Sequence, residues 1–174
     1  MSVDAIDNSI AESQKHSLHN TWTLWAHLPH DVNWDVGSYK NISTVSTVED
    51  TLALMDVQPD NLIKNCMLFV MRNNILPIWE DEKNSKGGCF SYKVSNKTIV
   101  TTWKQLVYKL VGETLLNDLK SSLKCNGITI SPKRNFCIIK IWFSDCSIQN
   151  PQLISDITGL PRQGCIFKKH NPEY

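Results

Sequence analysis

The chain lacks paired cysteines, long apolar runs and any excess of charge, and each absence narrows what it can be. Its six cysteines, at positions 66, 89, 125, 137, 146 and 165, form no C-x-x-C pair. A zinc site built on close cysteine pairs is therefore not expected. Most of these residues sit inside apolar runs such as Phe136-Cys137-Ile138 and read as small core hydrophobes of a reducing compartment. No apolar run approaches the ~18 residues of a membrane helix, and the N-terminus carries no apolar leader, so a cytoplasmic location without membrane contact is the expectation. The net charge is only +1. No global field draws the chain onto nucleic acid, and any RNA contact is expected at a short, specific feature. There is no His-x-x-x-His pair, nucleophile elbow or phosphate-cradling glycine loop, which argues against an enzyme and leaves no catalytic residue to name.

What is present is enough for one compact domain: 174 residues, 41% hydrophobic and 20% charged, without internal repeats. Residues 1–15 are polar and include Asp4, Asp7 and Glu12. They are expected to be a disordered tail ahead of a domain that starts at residue 16. From residue 21, Trp22, Leu24, Ala26 and Leu28 alternate with Thr23, Trp25 and His27, the pattern of a half-buried strand with Trp22 and Trp25 on opposite faces. Residues 29–40 read as a loop, and Trp34 sits in its middle with little core to pack against, which makes it a ligand-contact candidate.

Thr47-Val48-Glu49-Asp50 fits a capping box opening a helix that ends before Pro59. Trp103, Leu106, Val107, Leu110 and Val111 form a helical stripe ending near Gly112. Strands are expected over 65–72, 90–94, 126–131, 136–144 and 165–168, and a short helix over 151–157. About six to eight strands and three helices, with no βαβ alternation, predict an α+β fold.

The stretch 76–90, LPIWEDEKNSKGGCF, carries the chemistry. It sets the Trp79 indole beside Glu80, Asp81 and Glu82 and closes with Gly87-Gly88. An aromatic face next to a carboxylate suits a flat, cationic ligand with N–H donors, such as a purine alkylated at N7. The competing reading is a surface turn whose Trp packs inward and whose acids are solvated. A metal-dependent hydrolase using the three acids is a further alternative, but adjacent carboxylates on extended chain alternate in direction and do not converge on one ion. Neither a metal nor a cofactor is expected.

The run Trp79-Glu80-Asp81-Glu82-Lys83-Asn84, closed by Gly87-Gly88, resembles the signature of the eukaryotic translation initiation factor 4E family of mRNA cap-binding proteins. Upstream, His16-Ser17-Leu18-His19-Asn20-Thr21-Trp22-Thr23-Leu24-Trp25 is similar to its HPLxNxWxLW opening, with Ser17 in place of Pro. Val48-Glu49-Asp50, Trp103, Gly112-Glu113 and Trp142 follow in the family's order, so the resemblance spans residues 16–170. It implies a curved antiparallel β-sheet with three helices on its convex face and the cap in its concave side. It also implies a cationic guanine sandwiched between Trp34 and Trp79, its N1–H and amine accepted by Glu80, and Trp142 near the N7-methyl group. Asp81 and Glu82 would be turn groups.

Phosphate contacts match the family less well. Period-2 alternation puts Ile138, Lys140 and Trp142 on one strand face, so Lys140 points the same way as Trp142. The family's phosphate-binding lysine falls where Ile138 stands, and Lys133 and Arg134 are the nearest counterparts of its arginine. Cys89 and Phe90 stand where Arg or Lys and Trp are usual. Few residues follow the last strand, so the family's C-terminal loop over the phosphates is expected to be largely missing. Lys168, Lys169 and His170 either contribute there or form a solvated end.

The resemblance also implies a partner, a scaffold or regulatory protein whose short helical motif docks on the convex face. The matching positions are Leu18, Val48, Leu52, Lys104, Tyr108 and Gly112. Leu52 replaces an anchoring Trp and Lys104 an apolar residue, which predicts weak binding of the usual motif. Within the family two functions compete: recruitment of capped mRNA to initiate translation, and cap-binding repression or sequestration. Trp34 favours the first, since repressor-type relatives often carry Tyr there.

Overall fold

The computed structural model describes residues 15–170. In chain order its elements are β1 (Ser17–His27), β2 (Tyr39–Thr47), α1 (Val48–Val57), α2 (Asp60–Asn65), β3 (Met67–Arg72), β4 (Gly88–Ser95), α3 (Ile99–Val111), α4 (Leu119–Ser122), β5 (Cys125–Pro132), β6 (Phe136–Phe143) and β7 (Ile166–Lys169). The strands form one sheet in the order β2-β1-β3-β5-β6-β4-β7. Every neighbouring pair is antiparallel. This is the expected α+β architecture.

Strand alternation divides the apolar residues between two faces. Trp22, Leu24, Ala26, Leu68, Val70, Ile139 and Ile141 point to the convex side, where Met55, Ile63, Trp103, Leu106 and Leu110 of the helices cover them. Phe69, Met71, Cys89 and Trp142 point to the concave side, with Trp25, Tyr39 and Met67 packed against them. Among the described residues no helix contributes to that second cluster, and it forms the floor of a cleft. Trp22 and Trp25 take opposite faces, as their spacing predicts.

Local rules account for the helices. The Thr47 hydroxyl accepts the Asp50 N–H at 3.1 Å and starts α1. The reciprocal half of the capping box is absent, because the Asp50 carboxylate accepts instead from the Lys15 ammonium at 2.7 Å. Lys15 is thus placed, whereas residues 1–14 of the expected tail lie outside the described residues. In α3, Trp103, Leu106, Val107 and Leu110 are all buried, and Gly112 is its C-cap.

Just beyond that cap, Glu113 adopts φ 55° and aims its carboxylate at Arg72 of β3. The two form a buried fork at 2.5 and 2.9 Å. Asn20 of β1 donates to Glu113 at 2.8 Å. Arg72 also donates to the carbonyls of Cys125 at 2.9 Å and Ser122 at 3.0 Å. Its guanidinium lies 4.5 Å from the Trp22 ring centroid. Every polar atom of the pair therefore has a partner, the condition under which buried charges are tolerated.

Four elements depart from expectation, one of them the four-residue α4, which was not anticipated. Residues 39–40, read as loop, open β2, an edge strand with mostly exposed side chains. The six-residue α2 was not anticipated; only Ile63 of it is buried. The helix expected over 151–157 is a 3-10 turn at Pro151–Leu153. Ile154 leaves that turn to bridge Leu116, and this β-type pairing is incompatible with continuing a helix.

Candidate functional site

A cleft of about 390 Å³ opens on the concave face. Its floor is Phe69, Met67, Cys89 and Trp142, and its rim carries Trp34, Tyr39, Pro77, Ile78, Trp79, Glu80, Lys140 and His170. Trp142 is only 7% exposed, whereas Trp34 and Trp79 remain 59% and 53% exposed. Two large indoles half in water are a cost that core packing does not explain. Of the residues singled out in the sequence, Trp34, Trp79, Glu80, Lys140 and Trp142 line this one cleft. Lys133 and Arg134 do not. They are exposed in the β5–β6 turn, where the Lys133 N–H donates to Phe136 O at 2.8 Å and closes the hairpin.

Trp34 is presented by an aromatic stack. Its ring lies parallel to His27, with centroids 4.1 Å apart and planes 4° apart. His27 Nε2–H donates to Asn33 O at 2.7 Å, which ties the loop back to β1. Tyr39 meets His27 edge-on at 5.3 Å and Phe69 at 5.4 Å. One face of Trp34 is therefore committed to protein, while the residue as a whole remains 59% exposed. Such aromatic contacts contribute ~0.5–1.5 kcal/mol beyond area burial.

The loop bearing Trp79 is held by its own polar side chains. Asp81 accepts the N–H groups of Leu76 and Lys83, both at 2.9 Å. Asn84, fully buried, donates to Leu76 O at 3.0 Å and Ile78 O at 2.8 Å. Asn126 of β5 reaches across to Lys83 O at 2.8 Å and the Asn84 side-chain oxygen at 2.9 Å. At Gly87 a Cβ would lie 1.7 Å from the Phe143 carbonyl oxygen, so only glycine fits this approach. Asp81 is thus a turn group.

Glu80 is placed otherwise than a free acceptor. One of its oxygens accepts the Trp79 indole N–H, which leaves the other open to the cleft. Among the described residues no group of three or more His, Cys, Asp and Glu side chains is placed to hold a metal ion. The cleft offers flat apolar faces together with a carboxylate, Glu80, and an ammonium, Lys140.

Several lining residues escaped the sequence reading. Tyr39, Met67 and Phe69 line the cleft by strand alternation, and His27 backs Trp34. Burial raises the Tyr39 phenol pKa, and the nearby Glu80 charge adds to the shift. Burial also pushes the Cys89 thiol up, against the opposing pull of Lys140 and Lys168. His170, left open as part of a solvated end, is 6% exposed. Its Nδ1–H donates to Asn84 O at 2.7 Å, and its ring sits 4.7 Å from that of Trp142.

A sequence model described as Eukaryotic initiation factor 4E matches residues 17–170. The chain belongs to the eukaryotic initiation factor 4E family. A eukaryotic translation initiation factor 4E homolog of Acanthamoeba polyphaga mimivirus is 31% identical over 135 residues, 66% of this chain and 50% of the relative. The Eremothecium gossypii factor is 31% identical over 135 residues, 74% of this chain and 62% of its own length. For the human factor the values are 29% over 149 residues, 82% and 66%. The chain thus spans between half and about two-thirds of the length of these relatives.

The fold is also that of solved structures of the initiation factor 4E family. A schistosome eIF4E complexed with m7GpppG and 4E-BP superposes with TM-score 0.69 at 20% identity, covering 76% of this chain and 74% of that one. A Caenorhabditis elegans eIF4E-3 in complex with Mextli and a cap analog gives 0.68 at 23%, covering 76% of each.

On the convex face, the partner-matching positions of the initiation factor 4E family fall on adjoining elements. Val48 and Leu52 are exposed on α1, Leu52 by 46%. Lys104 and Tyr108 are half-buried on α3, Gly112 is exposed at its end, and Leu18 is half-buried on β1. Burial raises the Tyr108 phenol pKa, and the charge of Asp56 on α1 adds to it. Among the described residues no helix is long and apolar enough to cross a membrane.

Proposed function

We propose that this protein binds the 7-methylguanosine cap of mRNA and recruits capped mRNA in translation initiation, as a cytoplasmic binding protein and not as an enzyme. The observation that carries this is the pair of half-exposed indoles, Trp34 and Trp79, on one cleft with the Glu80 carboxylate beside the second. A cationic methylguanine between two indole faces gains ~1–2 kcal/mol per desolvated face. Its N1–H and amine are adjacent donors for the Glu80 carboxylate, whose open oxygen faces the cleft while the other also accepts from the Trp79 indole. Trp142 would meet the methyl group from the floor. The family membership supports the reading, as does the occurrence of cap ligands in structures of the same fold.

The triphosphate is assigned first to Lys140, the ammonium that lines the cleft. Lys133 and Arg134, on the hairpin turn beyond it, would meet phosphate charge outside the cleft. The protein partner is a scaffold or regulatory protein carrying a short helical motif, docked on α1 and α3. Leu52 and Lys104 weaken that docking, since a leucine buries less area than an indole and a lysine resists desolvation. The same two residues favour a second reading, a cap-binding repressor that sequesters mRNA without productive recruitment.

Retention on immobilised 7-methylguanosine phosphate tests the first claim. Elution by free cap analogue and not by GTP is expected, and equal elution by both contradicts it. Adding the protein to a translation extract depleted of its own cap-binding factor separates the two readings: restored synthesis from capped reporter supports recruitment, and continued silence supports sequestration.

A further inference from the structure

We propose that His170 is a proton-coupled phosphate contact: when a triphosphate-bearing ligand enters the cleft, Nε2 takes up a proton and keeps it, and the new N–H donates a hydrogen bond to a phosphate oxygen. This rests on the cap-binding reading and deepens it.

His170 lines the cleft and is 6% exposed, and its Nε2 has no hydrogen-bond partner among the described residues. A buried imidazole nitrogen left unsatisfied in a residue that lines a cleft points to a ligand. The ring is fixed in every other respect. Its Nδ1–H donates to Asn84 O at 2.7 Å, its backbone N–H donates to Gly87 O at 2.9 Å, and Trp142 packs beside it. Because Nδ1 holds its hydrogen on a carbonyl, the neutral ring has its lone pair on Nε2.

The groups sharing the cleft decide what happens at that lone pair. They are Lys140 from β6, Cys89 from β4, Tyr39 from β2 and Glu80. Lys168 of β7 pairs in register with Cys89. Burial lowers the His170 pKa in the free protein and Lys140 adds to this, while the Asn84 carbonyl opposes it. The unliganded ring is therefore neutral at physiological pH. A polyanion drawn to Lys140 reverses the balance: it cancels the ammonium's repulsion and offers an acceptor to an imidazolium N–H.

The proton comes from a solvent hydronium ion, whose O–H bond breaks as the N–H bond forms at Nε2, and no bond of the ligand changes. The folded, free group has its pKa depressed below its ordinary value and the liganded group has it raised. Affinity for the triphosphate thus climbs as pH falls from the liganded pKa towards the free one, by at most about tenfold per pH unit for one proton. If a ribose hydroxyl used Nε2 instead, the neutral ring would be the acceptor and acid would weaken binding.

The test compares a 7-methylguanosine–triphosphate–guanosine dinucleotide, whose bridge has no terminal phosphate, with the 7-methylguanosine nucleoside. Affinities are measured by tryptophan fluorescence from pH 5.5 to 8, so that ionisation of the base cancels in the ratio. The dinucleotide-to-nucleoside ratio is expected to rise on acidification in the parent protein and to stay flat in His170→Gln, whose amide can donate without titrating. A flat or falling ratio in the parent, or an equal rise in the variant, overturns the proposal. The His170 ring resonance, followed by NMR in the parent, needs no variant to fold: its midpoint should move to higher pH when the dinucleotide is added. If the dinucleotide fails to bind, the cap-binding reading falls first. Inorganic tripolyphosphate then replaces it, and an unmoved His170 midpoint refutes the phosphate contact by itself.

Discussion

Replacing Glu80 by Gln probes the edge of the cleft with the least disturbance elsewhere. Glu80 is exposed, and one oxygen already accepts the Trp79 indole N–H. The Gln side-chain oxygen can keep that bond, so the loop, stapled independently by Asp81, Asn84 and Asn126, should stay as it is. The open oxygen, however, becomes an NH₂ facing the guanine N1–H and amine. Donors then oppose donors in a stacked, dehydrated slot, and an unsatisfied buried donor costs ~2 kcal/mol. That converts to about 30-fold weaker binding of 7-methyl-GTP.

The same change favours adenine, whose edge presents an acceptor N1 beside a donor amine and so matches a carboxamide. Fluorescence titration with 7-methyl-GTP and 7-methyl-ATP should therefore show the guanine preference shrinking by tenfold or more. Asp81→Asn is the control, because Asp81 meets only backbone N–H groups. It should loosen the loop and weaken both nucleotides alike. An unchanged guanine-to-adenine ratio in Glu80→Gln would remove Glu80 from base recognition.

Lys140→Ala should lower the affinity ratio of triphosphate-bearing cap to nucleoside and flatten its salt dependence; an unchanged ratio returns Lys140 to the solvated lysines. Glu113→Gln strands the Arg72 charge in the core and should cost ~3 kcal/mol. For a chain of this size that lowers the thermal midpoint by ~6–12 °C, read by circular dichroism, and a shift within a degree would refute the pairing's role. A standard partner-motif peptide is expected to bind weakly by calorimetry, and Leu52→Trp with Lys104→Leu to strengthen it. Submicromolar binding to the unmodified protein would contradict this.

Much of the framework was legible because it follows short-range rules. The alternation of Trp22, Leu24 and Ala26 against Trp25 and His27 set both faces of β1. The same rule aimed Lys140 and Trp142 into the cleft. The Thr47 cap and the α3 stripe needed only local sequence. What was illegible depends on neighbours. β2 is polar along most of its length and is a strand because β1 supplies its hydrogen bonds. The six residues of α2 are too few for a periodic pattern. Tyr39 and Phe69 join the cleft only when β2, β1 and β3 lie side by side, and Lys133 and Arg134 stay outside it because the hairpin closes as a tight turn. The indole bond to Glu80 and the burial of His170 follow from one loop packing on another, which no spacing reveals.

The most direct measurement is quenching of tryptophan fluorescence by 7-methyl-GTP and by GTP in the parent protein and in Trp34→Ala. The two nucleotides share the phosphates and the base edge proposed to face Glu80, and differ in the methyl group and the charge it places on the ring. Stacking between Trp34 and Trp79 predicts at least about tenfold tighter binding of 7-methyl-GTP, which ~1.4 kcal/mol of cation–π attraction supplies. Trp34→Ala should lose most of that preference while keeping its fold, since the indole is 59% exposed. Equal affinity for the two nucleotides in the parent protein, or a full preference retained in Trp34→Ala, would contradict the sandwich.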